Sequence, residues 1–145
     1  IQALGRLPEA VVLHQRSVAI YQRLVEQEGR RELADDLAAA LMNQANAVRA
    51  LGRLPEAVAL CARSIALYQR LVEQEGRREL ANELAGALMN QAIAVSDMGQ
   101  LPEAVGLFEH AVAILRRNAW PIVGNRDLNA PIAAAYSPDF DAAFS

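Results

Sequence analysis

Apolar residues recur at helical spacing in alternating stretches of the chain. From Pro55 to Val72, apolar side chains return every three or four residues, which is typical of one face of an amphipathic helix. A second stretch with the same spacing runs from about Arg31 to Leu51 and again from about Arg78 to Met98. The pattern predicts a chain built from amphipathic helices.

Proline and glycine predict where these helices begin and end. Pro8, Pro55 and Pro102 each precede an apolar stretch, and the first turn of a helix tolerates the missing N–H of proline. Gly76 follows an apolar stretch and favours a left-handed C-terminal stop. The expected helices are 8–28, 31–51, 55–75, 78–98 and 102–119.

The chain is an internal repeat with a period of 47 residues. The phrase Leu-Gly-Arg-Leu-Pro-Glu-Ala-Val stands at 4–11 and 51–58, and a variant of it stands at 98–105. Of the 47 positions in 4–50, 36 are identical in 51–97. Each unit reads as a helical hairpin, and hairpins must stack because neither helix can bury its apolar stripe alone.

The stretch 41–58 resembles the tetratricopeptide signature, with small Ala45, Gly52 and Ala57 and bulky Leu54 at matching positions. The resemblance covers about residues 1–119, and the 47-residue unit is similar to the lengthened repeats of the kinesin light chain type. It implies an all-α, right-handed solenoid of stacked antiparallel helical hairpins. The units would be 4–50, 51–97 and a partial unit at 98–119.

Two glutamines depart from the family pattern. Gln44 and Gln91 stand where that pattern places an apolar core residue. Either each finds a hydrogen-bond partner, or the local packing differs from the family norm.

Charge and composition argue against several classes of partner. The net charge of -3 leaves no basic surplus for nucleic acid or an anionic membrane, and all 14 basic residues are arginine, as in Arg-rich bacterial coding. No uncharged stretch reaches the ~20 apolar residues of a membrane helix. The single cysteine, Cys61, favours a reducing cytoplasm. Residues 1–5 read like the end of an earlier helix, so we expect a fragment of a longer array.

The helix at 31–51 carries two stripes that differ in how well they repeat. The core stripe comprises Leu37, Leu41, Gln44, Ala45, Val48 and Leu51. Every residue of it except the last, Leu51, is unchanged in the second copy. The other, variable stripe comprises Ala39, Met42, Asn43, Asn46, Arg49 and Ala50. Four of these six positions change, giving Gly86, Ile93, Ser96 and Asp97 in the second copy. The variable stripe is therefore expected to face away from the core.

In proteins that this chain resembles, the variable face lines a concave groove that holds peptides. The candidate peptide-binding residues are Met42, Asn43, Asn46, Arg49, Met89, Asn90, Ile93, Ser96 and Asp97. Drift on an exposed face would give the same clustering, so both interpretations stand. Asn43 and Asn90 do not vary and can pair with a peptide backbone, although they could equally tie adjacent hairpins together.

The resemblance implies a protein or peptide partner. The carboxylate clamp of the family is not expected, because the chain has no lysine and Ile93 and Asp97 replace polar clamp positions. Two alternatives remain: a self-assembling scaffold that forms a dimer or an end-to-end stack, and the sensor or recruitment part of a larger signalling protein.

No constellation in the sequence points to catalysis, a metal or a cofactor. His14 and His110 have no cysteine or carboxylate at zinc-like spacing. His14, Cys61 and Phe108 occupy equivalent positions, and a position that accepts all three favours packing over chemistry. We expect a protein that is not an enzyme.

The segment 120–145 reads as a non-repeat tail with several prolines and Gly124, which would break long helices. It holds the aromatic residues Trp120, Tyr136, Phe140 and Phe144. Two placements compete: the tail caps the exposed side of the last hairpin, or it lies in the groove of its own or a neighbouring chain.

Overall fold

Five helices follow one another with short corners between them. A computed structural model describes the backbone of residues 2–123 and the side chains of residues 8–118. The helices are α1 (Gln2–Gln22), α2 (Ala34–Ala50), α3 (Leu54–Gln69), α4 (Ala81–Asp97) and α5 (Leu101–Val123). No strand occurs within residues 2–123, so the expected all-α helical-repeat solenoid is confirmed.

Most helix positions agree with the sequence pattern. Short 3₁₀ turns at Arg31–Leu33 and Arg78–Leu80 precede α2 and α4, as expected for helices that begin near Arg31 and Arg78. Two π-helical turns, Arg23–Gln27 and Arg70–Gln74, extend α1 and α3 and were not expected. Each π turn widens the C-terminal end of its helix, whereas the apolar spacing predicts a regular α-helix up to that end.

The expected start of the first helix at Pro8 is wrong, because α1 begins at Gln2 and contains Pro8. The second copy shows why the prediction failed. There the turn before the proline depends on a helix ahead of it, since the Arg53 amide bonds to the Val48 carbonyl at 3.1 Å. In the first copy the residues before the proline are helical instead, so residues 2–5 belong to α1 rather than to an earlier helix.

A second proline also lies inside a helix. Pro121, which the sequence predicts as a helix breaker, lies within α5. It stands two residues before Val123, the last residue of this helix. The remainder of the expected tail lies outside the described residues.

Two kinds of glycine corner join the helices. Gly52 and Gly99 take φ values of 80° and 83° and close α2 and α4 in Schellman motifs, with Gly52 donating to the Arg49 carbonyl at 2.8 Å. Gly76 has φ 70° and follows the π turn, where the Arg77 amide reaches back to the Leu71 carbonyl at 2.9 Å. The left-handed stop expected at Gly76 is confirmed.

The helices pack in chain order, each against the next, and α2 and α4 also contact each other. The residues expected to be buried between neighbouring hairpins are all buried: Leu41, Ala45, Val48, Leu88, Ala92 and Val95. Ser64 on α3 donates its hydroxyl to the buried Ala38 carbonyl of α2 at 2.8 Å, which joins the first unit to the second. None of the described helices combines the length and hydropathy needed to cross a bilayer.

The departure at Gln91 has a structural explanation. Its side-chain amide donates to the carbonyl of Val58 on α3 at 3.4 Å and so joins the two helices of the second unit. Gln44, its counterpart in the first copy, is buried. The first of the two expected explanations, a hydrogen-bond partner, therefore holds for Gln91.

Candidate functional site

The helices α2 and α4 form one side of the array. Within the described residues they contact each other more extensively than α1 contacts α3 or α3 contacts α5. Helices that approach closely on one side of a stack leave a continuous surface there. We call this the α2–α4 surface; its residues are Asn43, Asn46, Arg49, Met89, Asn90, Ile93, Ser96 and Asp97.

Eight of the nine candidate residues are at least partly exposed on this surface. The more exposed side chains are those of Asn43, Asn46, Ile93 and Asp97. Partly exposed side chains are those of Arg49, Met89, Asn90 and Ser96. Met42 is the exception, because it is only 8% exposed and belongs to the core. The expected apolar contact at Met42 is therefore a packing residue, while its counterpart Met89 is partly open.

The invariant asparagines have free amides. Neither Asn43 nor Asn90 makes a side-chain hydrogen bond to another described residue. No tie between hairpins is made by these two side chains in the described structure. Each amide can therefore donate to and accept from a bound backbone.

A charge pair crosses the surface between the two copies. The guanidinium of Arg49 on α2 lies 3.7 Å from the carboxylate of Asp97 on α4, and both side chains are partly exposed. Sequence reasoning treated these two residues as independent variable positions. The sequence did contain a signal for this pair. Ser96 is the counterpart of Arg49, and the second copy gains an acidic residue, Asp97, at the next position.

A second pair joins the same two units at the other end of α2. Arg77 lies 3.4 Å from Asp35, and Arg77 also contacts Glu79 at 3.0 Å. The contact with Glu79, more than that with Asp35, raises the pKa of Arg77. This pair was also missed, because it links a corner residue of one unit to the second helix of the unit before it.

Arg49 has one donor that remains unused. Its Nε is buried and has no hydrogen-bond partner among the described residues. A buried donor without a partner is uncommon in folded proteins and costs free energy until an acceptor reaches it.

The residues that could carry chemistry do not form a site. Cys61 is buried, and burial raises the pKa of its thiol to about 11, so the reactive thiolate is scarce near neutral pH. His14 is partly buried on α1 and His110 is exposed on α5. Among the described residues, no three histidine, cysteine or acidic side chains are grouped as metal ligands would be.

Comparison with known families gives a consistent identification. Two family models described as tetratricopeptide repeat match the chain, one over residues 36–117 and the other over residues 2–30. Both are of the kinesin light chain-like type, as the 47-residue period predicts. Comparisons with curated proteins and with solved structures gave no significant match. The repeat, the stacked hairpins and the matched models together establish that this chain belongs to the tetratricopeptide repeat family.

Proposed function

We propose that this chain is a protein-interaction module that binds a peptide or helical segment of a partner on the α2–α4 surface. Repeats of this family generally mediate protein–protein interactions, and the family is typically non-enzymatic. One observation carries the proposal: the equivalent side-chain amides of Asn43 on α2 and Asn90 on α4 make no hydrogen bond to another described residue. Such donors suit a ligand that offers backbone carbonyls.

The other residues of the surface define the chemistry of the ligand. Ile93 is exposed and Met89 is partly exposed, which provides adaptable apolar contacts beside the amides. The charges of Arg49 and Asp97 largely offset each other at 3.7 Å. The surface therefore suits a segment of mixed apolar and polar side chains without a strong net charge, bound at about micromolar affinity.

A peptide selection tests this proposal directly. Random 15-residue peptides displayed on phage are selected against the 145-residue chain, and the Kd of each selected peptide is measured by calorimetry. Replacing both Asn43 and Asn90 by Ala should weaken binding by about 1–3 kcal/mol, because two hydrogen bonds to the peptide are lost. The helical circular dichroism signal should not change.

The matched control removes two other equivalent amides. Gln27 and Gln74 are exposed at the corners of successive units, away from the α2–α4 surface. Their double replacement by Ala should leave every Kd within a factor of two or so of the parent value. If the asparagine variant binds as tightly as the control, the peptides bind elsewhere and the assignment of the surface fails.

Self-association is a second candidate function, favoured by the apolar side chains that remain exposed at both ends of the described array. These are Leu13 and Ile20 on α1 and Val105, Phe108 and Val112 on α5. Exposed apolar patches commonly mark interaction sites. Sedimentation velocity of the whole chain across a range of concentrations distinguishes a monomer from a stack.

A further inference from the structure

One face of α5 is apolar and uncovered by any described residue. We call Val105, Phe108 and Val112 the α5 face. Val112 is 44% exposed, whereas its counterparts Val18 and Ile65 are 5% and 8% exposed. The same repeat position is thus buried in two copies and open in the third.

The difference follows from which helix comes next. In the second copy, α4 packs against α3, and Gln91 of α4 donates to the Val58 carbonyl at 3.4 Å. Val58 is the counterpart of Val105. In the first copy, α2 packs against α1 in the same way. The expected cover for the α5 face is therefore a helix formed by the residues that follow α5.

The sequence after α5 repeats the beginning of that covering helix. Aligning 124–136 with 29–41 gives six identities in 13 positions, and the identical residues are Gly124, Arg126, Leu128, Ala133, Ala134 and Ala135. Asp127 and Ile132 are conservative replacements for Glu32 and Leu37. The spacing from Gly76 to Gly124 is 48 residues rather than 47, and this single extra residue hides the match from a search at the fixed period.

The prolines of this segment fit a shortened helix. Pro131 corresponds to Asp36, the third residue of α2, and the first turn of a helix has no use for the amide that proline lacks. Pro138 corresponds to Asn43 in the middle of α2, where a proline ends a helix at or before the preceding residue. A helix of about two turns fits between them.

We propose that residues 124–137 resume the repeat and form a short helix that covers the α5 face of the same chain. Ile132 and Ala133 then take the places of Leu84 and Ala85, which are buried where α4 packs in the array. Ala134 takes the place of Ala39, which is exposed. In this arrangement the tail continues the stack over the α5 face.

This arrangement also sets the length of the proposed binding surface. The position of Asn43 and Asn90 is held by Pro138 in the third occurrence, and proline has no side-chain amide. Between residues 1 and 145, two asparagines therefore occupy this repeat position. The segment lies beside the α2–α4 surface as its continuation and does not occupy it as a ligand.

Two neighbouring alanines provide a matched test in the full chain. Ala133→Glu places a charge where the counterparts Ala38 and Ala85 are fully buried, whereas Ala134→Glu places it where Ala39 is exposed. We expect A133E to lower the Tm by roughly 3–6 °C and A134E to change it by less than about 2 °C. Hydrogen exchange should show protected amides in residues 133–137 of the parent and A134E chains, and loss of that protection in A133E.

Other outcomes overturn the proposal and identify the occupant. Unprotected amides in 133–137 of the parent chain, with both variants equally stable, mean that the segment does not form the helix. A concentration-dependent dimer that A133E leaves intact but Val112→Asp dissolves means that a second copy covers the α5 face. Protection of 133–137 that is lost in the Asn43 and Asn90 double variant, but kept in A133E, means that the tail lies on the α2–α4 surface.

Discussion

The same leucine in two copies of the repeat has two different environments. Leu13 on α1 is 62% exposed, whereas Leu60, at the equivalent position of α3, is 7% exposed. Both follow the same Leu-Pro-Glu-Ala-Val phrase. The difference comes from the neighbours: α3 packs between α2 and α4, whereas no described helix precedes α1. Burial in this chain is therefore a property of the stack and cannot be read from one unit alone.

The sharpest test of that comparison shortens both leucines. Leu60→Ala should reduce the free energy of unfolding by about 2–4 kcal/mol, because it opens a cavity between packed hairpins. Leu13→Ala removes the same atoms from a largely solvated site and should cost less than about 1 kcal/mol. Urea denaturation of both variants and the parent measures the difference. Equal losses would mean that Leu13 is covered in solution.

Features set by local sequence could be predicted. The helical hairpins follow from apolar spacing, and the stops at Gly52 and Gly76 follow from the freedom of glycine to adopt positive φ. The core stripe could be predicted as well, because residues that face a neighbouring hairpin tolerate little change. Leu41 and Ala45 are unchanged in the second copy and are buried there as Leu88 and Ala92.

Features that depend on a neighbour were not predictable in the same way. The start of α1 at Gln2 and the π turns at Arg23–Gln27 and Arg70–Gln74 do not follow from the apolar spacing. The contact between Arg49 and Asp97 requires knowing which turn of α2 faces which turn of α4. The burial of Met42 shows the same limit, since its position on the variable stripe predicts exposure. Periodicity locates a residue on its helix but not the partner opposite it.

The alanines between units provide the next test of the stack. Ala92 is fully buried where α4 packs into the array, so Ala92→Leu should destabilise the chain by about 1–3 kcal/mol through overpacking. Ala59→Leu adds the same atoms at an exposed position of α3 and should be close to neutral. Thermal and urea unfolding measure both. A tolerated leucine at 92 would show that the contact between hairpins is looser than described.

Burial of Cys61 predicts how stability depends on pH. Because burial raises the pKa of this thiol from an ordinary 9.0 to about 11, the folded chain holds its proton when the unfolded chain has lost it. The stabilisation is complete below pH 9 and is lost as pH rises towards 11. At pH 10 the loss should be about 1 kcal/mol.

Cys61→Ala is the reference for this measurement. Burial also raises the pKa of Tyr68, which is present in both chains, so its contribution cancels in the difference. The gap in unfolding free energy between parent and variant should therefore narrow from pH 8 to pH 10. A gap that stays constant would mean that the thiol is solvated and that the unit is less tightly packed around α3.

The smallest expected effect is the coupling between Arg49 and Asp97, which connects the two copies on their variable side. The charges lie 3.7 Å apart with both side chains partly exposed, and pairs of this kind contribute about 0.2–1 kcal/mol. A double-mutant cycle with Arg49→Met and Asp97→Asn isolates the coupling, because methionine keeps the apolar stem that packs beside α4. The coupling should shrink in 1 M NaCl, since salt screens exposed charges. A coupling of zero at low salt would mean that the two charges do not hold α2 to α4. Arg49 would then be free to bind a ligand carboxylate, and the two charged residues would act on the partner separately.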